Sequence, residues 1–139
     1  MKRPFEIVDH TADVGIVAYG RDVEELFANA AMALFSLITD VDSVEEKVRL
    51  NTEVGGDGIE NLLVNWLNEL IYIFDVQRIL FRRIEVAGFT GDHLEAVCYG
   101  EHLNPTRHTL KVGVKAATYH MLQLDRDGDG YRAQVIFDI

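Results

Sequence analysis

The chain has one cysteine and two prolines among its 139 residues, and no apolar run approaches the roughly 18 residues that a membrane span requires. A lone cysteine excludes an internal disulfide and any zinc site built from several thiolates. Its setting, Leu94-Glu95-Ala96-Val97-Cys98-Tyr99, predicts a buried thiol. Basic residues are scarce: 13 Lys and Arg stand against 23 Asp and Glu, a net charge of −10. That deficit excludes an open face for nucleic-acid phosphates, which need clustered cations. It suits cation attraction or docking on a basic protein surface. No apolar segment of signal-peptide type follows Met1-Lys2-Arg3-Pro4, so the cytoplasm is the expected location, with no membrane association. Scarce proline with 48% hydrophobic residues predicts a compact chain, and the length predicts a single domain spanning residues 1–139.

The common catalytic signatures are absent too. There is no phosphate-cradling Gly-x-x-x-x-Gly-Lys-Ser/Thr loop, no dinucleotide fingerprint and no nucleophile elbow. The histidines His10, His93, His102, His108 and His120 are scattered, without the spacing of a closed zinc tetrahedron.

What is present reads as two helices and several strands. Phe5–Val8 and Gly15–Gly20 are strand candidates, with His10-Thr11-Ala12-Asp13 in the connection. Asp22 and Glu25 form a capping-box signal ahead of the stripe Leu26, Phe27, Ala30, Leu34, Leu37 and Ile38, predicting a helix over about 22–39. Val48, Leu50, Thr52 and Val54 alternate with polar neighbours, the pattern of a half-buried strand. After Gly55-Gly56-Asp57-Gly58, Asp57 and Glu60 repeat the capping signal before the main core helix, in which Trp66 is read as packing. Strands are expected near 78–87, 92–103, 109–115, 117–124 and 131–138. The succession predicts an α+β fold: two main helices packed on a largely antiparallel or mixed β-sheet.

Asp125-Arg126-Asp127-Gly128-Asp129-Gly130 starts like a calcium loop, but the twelfth position is Ile136 where a bidentate Glu is needed. Asp127-Gly128 is better read as a hairpin turn. The end of the chain carries another signal. The Asp138 side chain and the α-carboxylate of Ile139 are adjacent, acceptor-only groups. Should the last strand bring them beside Asp13, three hard oxygen donors converge, suiting Ca2+, Mg2+ or Mn2+ better than Zn2+. Residue pattern alone also allows an ordinary solvated end.

The segments His10-Thr11-Ala12-Asp13-Val14-Gly15, Lys111-Val112-Gly113-Val114-Lys115-Ala116-Ala117-Thr118-Tyr119-His120 and Val135-Ile136-Phe137-Asp138-Ile139 together resemble the archease family. The likeness spans the chain and includes the Gly-Asp-Gly lead into a Leu- and Trp-bearing helix. It implies an accessory protein, not an enzyme: an activator of the RtcB-type RNA ligase of tRNA splicing and RNA repair. Such a protein promotes guanylylation of the ligase's active-site histidine, supports multiple turnover and broadens nucleotide use beyond GTP. The partner is the ligase, held transiently, and RNA is met only through it. The resemblance also assigns Asp13, Asp138 and Ile139 as the metal-binding positions. The ion would be a divalent cation, Ca2+ in a crystal and Mg2+ or Mn2+ in the cell.

Other residues stay open at this level. His10 and Thr11 could support Asp13 or simply cap the turn. Lys111 and Lys115 would share a strand face able to meet an acidic partner or phosphate, or form a solvated stripe; Tyr119 and Glu101 are candidate surface contacts, and His120 falls in the family-like segment with its role open. Two other classes compete. A metal-dependent phosphoester hydrolase would need a base such as His10 or Glu101, and a metal-free, chaperone-like adapter would need an exposed apolar patch.

Overall fold

A computed structural model describes residues 3–9 and 13–139 of the chain. The elements run β1 (Phe5–Asp9), β2 (Val14–Gly20), α1 (Val23–Ile38), a 3-10 turn at Val41–Ser43, β3 (Val48–Gly55), α2 (Ile59–Gln77), β4 (Ile79–Phe89), β5 (His93–His102), β6 (Ala116–Ala117), β7 (Gln123–Asp127) and β8 (Gly130–Asp138). They form a five-stranded sheet in the order β1-β2-β8-β6, with β7 also on β8, and a three-stranded sheet in the order β3-β5-β4. Every strand pair among the described residues is antiparallel, as expected for an α+β fold with its helices on the sheets.

Both helices touch both sheets: α1 packs on β2 and β4, and α2 on β6 and β3. This explains why α1 is apolar nearly all round, with Leu26, Phe27, Ala30, Ala31, Ala33, Leu34, Phe35, Leu37 and Ile38 all buried. A helix that met one sheet only would keep a polar half. The Asp22 carboxylate accepts the Glu25 N–H at 2.8 Å and caps α1. The return bond is displaced by one residue, because Glu25 accepts the Arg21 N–H. At α2 the N-cap is Gly58, φ 90°, rather than Asp57. Among the described residues no side chain caps α2; Asn61 Oδ1 reaches back from inside the helix to accept the Asp57 N–H at 2.7 Å.

Trp66 is fully buried and donates from Nε1 to the Phe27 carbonyl at 3.0 Å, tying α2 to α1. β3 alternates as its sequence predicts, and β5 buries Leu94, Ala96, Cys98 and Gly100 against the core. Gly128, φ 60°, turns the β7–β8 hairpin, so the acidic Asp125–Gly130 segment is the end of one strand, a tight turn and the start of the next. The strand expected at 109–115 is absent. Leu110 makes a single bridge to Thr39, and β6 is confined to Ala116–Ala117. The amides of Lys111 and Lys115 bond to the Ile38 and Asp138 carbonyls, respectively. Lys111 and Lys115 are exposed but do not share a strand face. Among the described residues, no helix is long and apolar enough to cross a membrane.

Candidate functional site

Pairing of β2 with β8 ends at Val14 opposite Phe137. Both are buried in the core. Asp13 directly precedes β2 and Asp138 is the last residue of β8, so each lies one residue beyond that final pair. Asp138 is exposed and Ile139 is 46% exposed. Asp13 is half-buried, and its Oδ1 is wholly shielded from solvent with no hydrogen-bond partner among the described residues. A carboxylate oxygen hidden from water and unpaired is costly. A hard cation is the kind of group that would satisfy this Asp13 oxygen. His10, Thr11 and Ala12 lie outside the described residues.

The end of β8 is held on its other side by β6. Ala116 pairs with Asp138 and Ala117 with Phe137. The Lys115 N–H donates to the Asp138 carbonyl at 2.8 Å, and the Thr118 N–H and hydroxyl both donate to the Ile136 carbonyl, at 3.0 and 2.8 Å. Exposed Tyr119 receives a hydrogen bond from the Asn61 amide on its hydroxyl. His120 is exposed beside it, its N–H directed to the Thr118 hydroxyl.

Glu101 is not a surface group. It is 4% exposed, accepts the Glu45 N–H at 2.6 Å, is ion-paired to Arg107 and faces His108 Nε2 at 3.1 Å. Burial alone would raise its pKa, but the Glu45 amide, Arg107 and His108 reverse this and hold it at about 2. A carboxylate so fully engaged is unsuited to act as a general base, which removes one of the two bases, His10 and Glu101, open to the hydrolase reading.

A second group of donors lies on the three-stranded sheet. One ligand atom each from Glu53, His93 and Glu95 falls within 4.8 Å of the others. Glu53 stands opposite Glu95 across β3 and β5. His93 Nε2 lies 3.4 Å from Glu53 and 3.6 Å from Glu95. One imidazole with two carboxylates can hold a divalent ion; it can equally serve as an exposed ion-pair set. Sequence reading passed over it because the pairing of Glu53 with Glu95 is long-range; only His93-x-Glu95 on one strand face was visible. A cleft of about 1020 Å3, bordered by Tyr19, Arg21, Glu25 and Tyr131, lies at the other end of the five-stranded sheet from Asp13.

The archease protein family matches residues 5–139. The chain is 43% identical to the archease of Pyrococcus abyssi over the whole of both chains. It is 39% identical to that of Sulfolobus acidocaldarius, over 97% of this chain and 98% of the relative. The solution structure of Methanobacterium thermoautotrophicum protein 1598 superposes with a TM-score of 0.85 at 37% identity, covering 98% of this chain and 99% of the other. The crystal structure of an archease described as a possible chaperone, from Thermotoga maritima, shares the fold with a TM-score of 0.69 at 23% identity, covering 100% and 98% of the two chains. Family match, full-length relatives and shared fold agree: the chain belongs to the archease family.

Proposed function

We propose that this protein activates an RNA ligase of the RtcB type, and that Asp13, Asp138 and the α-carboxylate of Ile139 are the groups through which it acts. Archease membership supports the general role of RNA-ligase activator. The observation that supports the site is the shielded, unpartnered Oδ1 of Asp13 next to the end of β8. The three carboxylates would hold one divalent cation with oxygen donors only. When bound, the ion offsets negative charge on nucleotide phosphates. The chain's own contribution is placement. β2 fixes Asp13, while β8, gripped by β6, presents Asp138 and Ile139 at an exposed edge where a larger partner can reach them.

In this reading the protein promotes guanylylation of the ligase's histidine and supports repeated turnover and use of nucleotides beyond GTP, without catalysing the reaction itself. The net charge of −10 opposes direct contact with RNA, so RNA is met through the ligase. The complex would be transient, as befits an activator that serves many ligase molecules.

The test is ligase guanylylation over many turnovers with a substoichiometric amount of this protein, using the wild type and the Asp138→Asn variant. Acceleration by the wild type alone supports the reading. Equal acceleration by both would leave the activator role standing and remove the carboxylate site from it.

A further inference from the structure

The strand that grips the end of β8 is itself only two residues long, Ala116 and Ala117. So short a strand cannot hold its place by ladder bonds alone, and the preceding 111–115 stretch is irregular. Its support comes from α2. The Asn68 side chain reaches across to Ala117 and pairs with both of its backbone groups. Oδ1 accepts the Ala117 N–H at 2.8 Å, and Nδ2 donates to the Ala117 carbonyl at 3.3 Å. A carboxamide so used replaces the next strand of the sheet: one donor and one acceptor, side by side, satisfy an edge residue. Asn61, about two turns earlier on the same helix, donates to the Tyr119 hydroxyl. α2 therefore grips the 117–119 segment at two points.

We infer that Asn68 is a positioning residue that sets the place of Asp138 and Ile139 through Ala117 and β6. The path has three links: Asn68 to Ala117, β6 to β8, and the Lys115 and Thr118 amides to the Asp138 and Ile136 carbonyls. The inference deepens the proposed site and rests on the reading of Asp138 and Ile139 as cation ligands. The grip itself is measurable without any ion.

The experiment compares the wild type with Asn68→Ala, Asn68→Asp and Tyr72→Ala in the full chain. Tyr72 is a control on the same helix, with its side chain exposed. Asn68→Asp keeps the shape and the acceptor but sets a carboxylate oxygen against the Ala117 carbonyl. Two quantities are read: hydrogen exchange at the Lys115 and Thr118 amides, and the dissociation constant for Mn2+ by calorimetric titration. Both Asn68 variants should lose exchange protection at these amides while α1 and β2 keep theirs. Mn2+ binding should weaken about 10–100-fold, the usual effect of removing a group that orients a ligand; Tyr72→Ala should change neither. Unchanged protection at Lys115 and Thr118 overturns the inference. Lost protection with unchanged Mn2+ affinity shows a grip that does not position the ligands, and overturns it as well. Failure of the wild type to bind Mn2+ contradicts the cation reading itself, and with it the positioning role. Should Asn68→Ala unfold, Asn68→Asp carries the same readouts.

Discussion

His108 and Glu101 meet in the interior, Nε2 to Oε2 at 3.1 Å, the two residues being 3% and 4% exposed. His108 Nδ1 accepts the Asn104 N–H at 2.9 Å, so the ring proton lies on Nε2 and points at Glu101. With the Glu45 amide and Arg107, this joins the stretch after the 3-10 turn, the end of β5 and the 104–108 loop into one network.

The network predicts a pH dependence with a definite sign. Glu101 is held at about 2, below its ordinary value of 4.5. A carboxylate depressed in the folded state adds stability above its unfolded pKa, and that contribution is lost as the pH falls through the folded value. Stability measured by denaturant titration should therefore drop between about pH 4.5 and pH 2. Glu101→Gln should cost about 1–3 kcal/mol at neutral pH, since buried donors lose their charged acceptor, and should flatten the curve across that window. A variant as steep as the wild type there would assign the acid sensitivity to other carboxylates.

Gly100 predicts a steric effect of a different kind. A Cβ at this position would lie 1.8 Å from the Leu80 carbonyl oxygen, a backbone atom with little freedom to yield. β4 passes close at this point, where its pairing with β5 shifts register between Phe81 and Arg83. Gly100→Ala should destabilise by about 3 kcal/mol through forced separation of the strands. At Gly113 nothing lies within 4 Å of the added atom, so Gly113→Ala should leave the melting temperature nearly unchanged.

Cys98 is fully buried, and burial pushes its thiol up to about 12. Thiolate is the reactive form. The native protein should not react with a thiol-specific reagent at pH 8 over hours, and should titrate one thiol in denaturant. Fast labelling of the native form would mean that β5 opens readily.

These residues also show where sequence pattern ran out. Alternation marks Leu94, Ala96 and Cys98 as inward-facing, but Glu101 lies next to buried Gly100 and is buried too. The cause is the 104–108 loop, whose Arg107 and His108 fold back on it, and no local pattern announces that contact. Val112 and Val114 alternate with Lys111, Gly113 and Lys115 as a strand would. The backbone bonds of this stretch go to Ile38 and Asp138 at separate places instead of to one partner. The helix stripes, the β3 alternation and the turn at Gly128 were legible because each depends on neighbours in sequence. Asp13, Asp138 and Ile139 were legible only as residue types. The pairing of β2 with β8, which ends one residue short of Asp13, is long-range, and the hold of Asn68 on Ala117 joins positions 49 apart.

The account turns on the carboxylates at the end of β8. Ligase guanylylation with GTP and Mn2+ should be followed under substoichiometric activator, comparing the wild type, Asp13→Asn, Asp138→Asn and a chain extended by one glycine after Ile139. Each substitution keeps the size of the side chain, and folding is checked by circular dichroism. The account predicts acceleration by the wild type and a loss of about 10-fold or more in each of the other three, the cost of misplacing or removing one metal-ion ligand. Full acceleration by Asp13→Asn and Asp138→Asn would contradict it.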